Sequence, residues 1–173
     1  MTALFYCSAC EAIDPQYNEA ARHIVRAAAL RGYTIVSGGT VKGTMRVVCE
    51  AALENGAPTV GVLPRFMKGL EYPGMTRTEW TDTMSGRKEV MREGVDIAIA
   101  LPGGIGTMYE LFETLVLAKL GRFGGRVAAL NINGFYDPLA ALLDHFVSEG
   151  VLEQKDRDRL LMPRTVEELE ALL

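Results

Sequence analysis

Apolar residues recur along this chain in two rhythms. Apolar runs at 3–7, 33–37, 59–63, 96–101 and 126–131 have the length expected of buried parallel strands covered on both faces. Between them, 15–30, 43–55, 83–94, 107–120 and 136–149 repeat apolar positions every three to four residues, the period of an amphipathic helix. The punctuation agrees with both readings. Pro15 suits a first helical turn with Asp14 as its cap. Gly32, Gly56, Gly121 and Gly150 fall just past predicted helix ends, where a left-handed residue is common. Thr165-Val166-Glu167-Glu168 has capping-box spacing and predicts a short C-terminal helix.

Buried strands alternating with helices predict an α/β fold: a single Rossmann-like, doubly wound parallel sheet with helices on both faces. One connection breaks the rhythm. Residues 64–81 hold Pro64, Gly69, Pro73 and Gly74 and predict a long loop, ending in a short strand at 79–81. Arg65 and Arg77 make it a candidate lid over a phosphate. No repeat, low-complexity tract or linker interrupts the chain, so residues 1–173 read as one domain. In such folds ligands bind outside the carboxyl ends of the strands, near the point where strand order reverses.

Composition narrows the partners. A net charge of −4 argues against nonspecific binding to nucleic acid or to an anionic membrane. No apolar run approaches the roughly 20 residues that span a bilayer. Met1-Thr2-Ala3-Leu4-Phe5-Tyr6 reads as a strand rather than a basic leader, which makes a cytoplasmic location the expectation. Three cysteines, Cys7, Cys10 and Cys49, argue against a disulfide framework. Cys7-x-x-Cys10 has the spacing of a redox pair or half a zinc site, but no second pair or histidine cluster completes a metal set, and no metal is expected. His23 and His145 lie in helical patterns and read as packing or surface residues.

The candidate chemistry lies in two glycine loops, each following a strand: Ser37-Gly38-Gly39-Thr40-Val41-Lys42-Gly43 and Pro102-Gly103-Gly104-Ile105-Gly106-Thr107. Neither is a Walker loop or a full dinucleotide fingerprint. Glycines allow close backbone approach, and a helix start offers unpaired N–H groups, so two such loops at strand ends point to a nucleotide or sugar-phosphate site. Glu110 follows the second loop by one helical turn. Thr107-Met108-Tyr109-Glu110 is also a capping-box pattern, in which Glu110 would only satisfy the Thr107 N–H. Glu113 and Thr114 share its helix face. Arg87 opens another helix; with Lys88 and Arg92 it reads either as a solvated basic face or as a bidentate phosphate ligand.

Met84-x-x-Arg87-Lys88 followed by Pro102-Gly103-Gly104-x-Gly106-Thr107-x-x-Glu110 resembles the signature of the LOG ("Lonely Guy") family. Gly38-Gly39 with Gly43 and Met45, Gly61-Val62-Leu63-Pro64-Arg65-Phe66 and Asn131-x-Asn133-Gly134-Phe135-Tyr136 extend the similarity over nearly the whole chain. The resemblance implies a cytokinin riboside 5′-monophosphate phosphoribohydrolase, which releases free base and ribose 5-phosphate without metal or organic cofactor, usually as a homodimer. Arg87 and Glu110 would be the catalytic pair. Gly38, Gly39, Gly43, Met84, Lys88, Pro102, Gly103, Gly104, Gly106, Thr107 and Glu113 would hold the nucleotide. The chain departs from the family pattern at Cys7-Ser8-Ala9-Cys10, Thr40, Thr44, Arg46, Gly86, Ile105 and Tyr109. Arg46 in particular is expected at the pocket rim, and the base is left open between a prenylated cytokinin and AMP or another purine. The competing reading is a nucleotide or cofactor carrier on the same fold. Lysine decarboxylase chemistry, a label this family often carries, generally uses pyridoxal phosphate on a lysine, and neither Lys42 nor Lys88 has a supporting context.

Overall fold

The computed structural model describes residues 1–173. Strand β1 (Thr2–Tyr6) leads to α1 (Pro15–Leu30), β2 (Thr34–Ser37), α2 (Gly43–Glu54), β3 (Thr59–Pro64) and a 3₁₀ turn (Arg65–Met67). The chain continues through β4 (Arg77–Thr81), α3 (Met84–Arg92), β5 (Ile97–Ala100), α4 (Ile105–Lys119) and β6 (Arg126–Ala129). A second 3₁₀ turn (Ile132–Gly134) precedes α5 (Asp137–Ser148), α6 (Gln154–Arg157), β7 (Leu160–Leu161) and α7 (Val166–Glu170). The seven strands form one sheet in the order β4-β3-β2-β1-β5-β6-β7, and every ladder is parallel.

Strand order reverses between β1 and β5. From β1 the chain winds outward through β4, then returns to the other edge of β1 and winds outward again. Alternate residues of each strand feed two cores. Ala3, Phe5, Ile35, Ile97 and Ile99 pack with α1, α2 and α7 on one face. Leu4, Tyr6, Val36, Val62, Ala98 and Ala100 pack with α3, α4 and α5 on the other. Burial on both faces is why these strands are mostly apolar runs, with polar residues such as Thr34 and Arg126 at their ends.

The start of α1 follows the capping rules, with the Asp14 carboxylate accepting from Gln16 N–H at 3.0 Å. Elsewhere the structure corrects the expected boundaries. β4 begins at Arg77 rather than at 79 and pairs with β3 over its whole length. It is an edge strand, so Arg77-Thr78-Glu79 carries no apolar signal. Helix α6 and the two-residue β7 are too short to show a period. Helix α4 begins at Ile105 after Gly104, so Thr107 and Glu110 lie inside it and the capping-box reading of that pair is overturned.

Candidate active site

A cavity of about 270 Å³ opens above the carboxyl ends of β1, β2 and β5, where strand order reverses. Cys7, Ser8 and Ala9 line it after β1, and Gly38 and Thr40 after β2. Arg87 reaches it from α3, and Gly104, Gly106, Thr107, Tyr109 and Glu110 come from the start of α4. Met45, Met67 and Met84 complete an apolar, sulfur-rich wall.

The centre is an ion pair between residues distant in sequence. Arg87 Nη1 donates to Glu110 Oε1 at 2.6 Å, and Arg87 Nε donates to the Val62 carbonyl at 2.8 Å. Arg87 is 6% exposed and Glu110 8%. Burial raises the Glu110 carboxyl above its ordinary range, and the Arg87 guanidinium beside it opposes that rise without cancelling it. Gly38 lies where Arg87 and Met45 converge: a Cβ there would overlap Arg87 Nη2 and come within 2.5 Å of Met45 Sδ.

The second glycine loop delivers the start of α4. The N–H groups of Ile105, Gly106 and Thr107 precede the first helical hydrogen bond, from Met108 N–H to the Gly104 carbonyl at 3.0 Å. A Cβ on Gly104 or Gly106 would meet no protein atom, whereas one on Gly103 would overlap the Thr107 side chain. Two of these glycines therefore face open space and the third serves packing. Free N–H groups with the helix dipole behind them suit an anion.

Of the residues expected to hold a ligand, Gly38, Met84, Gly104, Gly106 and Thr107 line the cavity with Arg87 and Glu110. Gly39, Gly43, Pro102 and Gly103 build the loops behind it. At Gly39 a Cβ would lie 2.5 Å from Gly61 Cα, and at Gly43 it would press on the backbone of residues 8–10. Lys88 and Glu113 form a separate cluster. Lys88, 1% exposed, holds its ammonium 2.9 Å from Glu113 Oε2 and 3.3 Å from the Tyr109 ring centroid, and Arg92 donates to the same Glu113 oxygen at 2.6 Å. Burial pushes the Glu113 carboxyl up, but the two cations together hold it below its ordinary range.

Several expectations about the rim change. Arg46 pairs with Glu50 at 3.0 Å on its own helix and does not line the cavity. Arg65 and Arg77 pair with Asp82 and Glu79, each at 2.9 Å, and Met67 is the residue of that connection that reaches the cavity. Cys7 is buried and Cys10 exposed, and burial pushes the Cys7 thiol up, away from the thiolate a redox pair needs. The sequence reading missed the roles of Ser8, Met67 and Tyr109 in the lining. Ser8 and Tyr109 stand out only as departures from the family pattern, and Met67 stands in no motif; the strand-end position of Ser8 and the place of Tyr109 beside Glu110 are the available signals.

The family model described as "Possible lysine decarboxylase" matches residues 45–173. A cytokinin riboside 5′-monophosphate phosphoribohydrolase from Oryza sativa subsp. japonica is 34% identical over 95% of this chain and 69% of its own length. Another of that name from Rhodococcoides fascians is 33% identical over 94% of this chain and 83% of its own length. Among solved structures, the molybdenum cofactor binding protein of Rippkaea orientalis superimposes with a TM-score of 0.76 at 20% identity, over 99% of this chain and 94% of that one. The molybdenum cofactor carrier protein of Chlamydomonas reinhardtii gives 0.71 at 18% identity, over 98% of this chain and 94% of that one. At that distance the two carriers share the fold.

Proposed function

Since the chain belongs to the LOG family, whose curated relatives bear the name phosphoribohydrolase, we propose that it is an N-glycosyl hydrolase of nucleoside 5′-monophosphates. It releases free base and ribose 5-phosphate. The observation that carries this reading is the buried Arg87–Glu110 pair beside the open start of α4, a carboxylate and an anion site within one cavity.

Each group has a task that follows from its chemistry. The α4 N–H groups hold the 5′-phosphate. Departure of the base leaves an oxocarbenium-like sugar, and the Glu110 carboxylate stabilises that positive charge and orients the attacking water. Only its Oε1 is used by Arg87, and Oε2 takes no hydrogen bond from the protein. Arg87 fixes the Glu110 rotamer and supplies positive charge for the electrons that accumulate on the departing base. The methionine wall offers the base an apolar, deformable surface, suited to AMP and to a purine carrying a prenyl group.

A homodimer belongs to the same reading. Ile105, Tyr109, Val116 and Leu120 leave the outer side of α4 apolar and exposed, and Ile105 is 91% exposed. A helix apolar on both sides calls for a partner on each. The reading treats residues 1–173 as one catalytic unit. It also places the unit in the cytoplasm, consistent with free thiols and with no helix long and apolar enough to cross a membrane.

The test is chromatography of AMP and isopentenyl-AMP after incubation with wild type and Glu110→Gln. Base and ribose 5-phosphate are expected from wild type alone, and the faster substrate identifies the preferred base. AMP that binds but is recovered intact from wild type refutes hydrolysis and leaves the carrier reading.

A further inference from the structure

The segment that follows β6 takes no part in the chemistry above, yet it is built to aim one hydroxyl. Asn131, 2% exposed, accepts from Tyr136 N–H at 2.7 Å and donates through Nδ2 to Asp137 Oδ1 at 2.8 Å. Arg164 donates to that same Asp137 oxygen at 2.8 Å. The turn passes through positive φ at Asn133 (53°) and Gly134 (71°), and a Cβ on Gly134 would come within 2.6 Å of Asp137 Oδ2. The Phe135 ring meets the Tyr136 ring edge-on, centroids 4.8 Å apart. These contacts fix the direction of a tyrosine that is 3% exposed.

The Tyr136 hydroxyl ends at the second glycine loop. It donates to the Leu101 carbonyl at 2.7 Å. Leu101 and Gly103 flank Pro102, which has no N–H of its own. One hydroxyl thus anchors the turn that ends β5 at Leu101, from behind the cavity, which neither Tyr136 nor this turn lines. At the loop's other end Gly103 is pressed against Thr107, so the first turn of α4 is held from both directions.

We propose that Tyr136 is the positioning residue of the phosphate subsite. Its hydroxyl fixes the 101–103 turn so that the N–H groups of Ile105, Gly106 and Thr107 converge on the 5′-phosphate. This rests on the reading that the start of α4 binds the phosphate of a nucleoside monophosphate.

Tyr136→Phe keeps the ring and its packing and removes the hydrogen bond to Leu101. With AMP as substrate and inorganic phosphate as competing ligand, KM and the inhibition constant of phosphate are both expected to rise about tenfold, with kcat changed less than about twofold. Phe135→Leu is the packing control, expected to lower the melting temperature without moving the phosphate constant. A Tyr136→Phe enzyme whose KM and phosphate constant equal those of wild type, or whose kcat alone falls together with its melting temperature, overturns the proposal. If wild type does not hydrolyse AMP, the reaction is wrong but the positioning role is still decided. Calorimetric titration with inorganic phosphate then supports it by a tenfold weakening in the variant and refutes it by equal affinities.

Discussion

Two adjacent glycines should fail in opposite ways when each is given a methyl group. Gly38 has ordinary backbone geometry, but its Cβ would overlap Arg87 Nη2 and crowd Met45 Sδ. Met45 is flexible and can yield. Arg87 is held by the Val62 carbonyl at 2.8 Å and by Glu110 at 2.6 Å, so its guanidinium moves only by giving up one of them. A hydrogen bond to a charged group contributes about 1.5–3 kcal/mol, so kcat of Gly38→Ala should fall by about 10- to 150-fold. Water in the cavity reaches the displaced group, and the folding cost stays below about 1 kcal/mol. Gly39 sits at φ 65° with Gly61 Cα 2.5 Å from where its Cβ would be. The left-handed backbone and the wedge between β2 and β3 together cost Gly39→Ala about 2–5 kcal/mol. At about 2–4 °C per kcal/mol, melting should fall by roughly 4–20 °C. Base release and thermal unfolding, measured on both variants, separate the effects. Full kcat in Gly38→Ala, or wild-type melting in Gly39→Ala, would refute this account of the first glycine loop.

Other outcomes follow from the charges and from α4. Glu110 acts ionised, and burial raises its carboxyl, so kcat/KM should fall with decreasing pH along a limb above the ordinary carboxylate range. Arg87→Met removes the main influence opposing that rise, and the limb measured on its residual activity should move to higher pH; an unmoved limb would assign it to another group. Glu113 is held below its ordinary range by two cations, so the stability it contributes is present at neutral pH and lost as pH falls through its folded value. Glu113→Gln strands Lys88 and Arg92 and should cost about 1–3 kcal/mol at pH 7 by denaturant unfolding, whereas Lys88→Met should cost less than about 1 kcal/mol. Val116→Lys should halve the mass seen by light scattering if the outer side of α4 is the dimer face, and an unchanged mass would exclude that face.

The frame was legible because burial leaves a strong mark. β1, β2, β3, β5 and β6 are covered on both faces, and their apolar runs declare it. Arg77–Thr81 is a strand by virtue of β3 beside it, and its own residues alternate too little to say so. The site was legible as pairs of motifs, but direction was not. Sequence spacing cannot tell that Lys88 lies under Tyr109, because that depends on a neighbouring helix, whereas Arg46 and Glu50 stand four apart on α2 and their pairing could have been read from spacing. Glu110 was ambiguous for a related reason. Gly104 starts α4 without a side-chain cap, so the nearest residue of capping type, Thr107, suggested a later start than the true one. The role of Tyr136 depends on a bond spanning 35 positions, which no local pattern reveals.

The sheet order has a consequence for how this molecule comes into being. β1 is central, but its second neighbour, β5, arrives late: Thr2 N–H donates to Asp96, 94 residues on, at 2.6 Å. The first four strands can assemble as they leave the ribosome, with one edge of β1 still bare and open to pairing with another chain. Arg87 belongs to that early half and Glu110 to the late one. No partly made or half-refolded molecule can join them, so the return of activity should lag the return of helical signal and mark the closing of the β1–β5 seam.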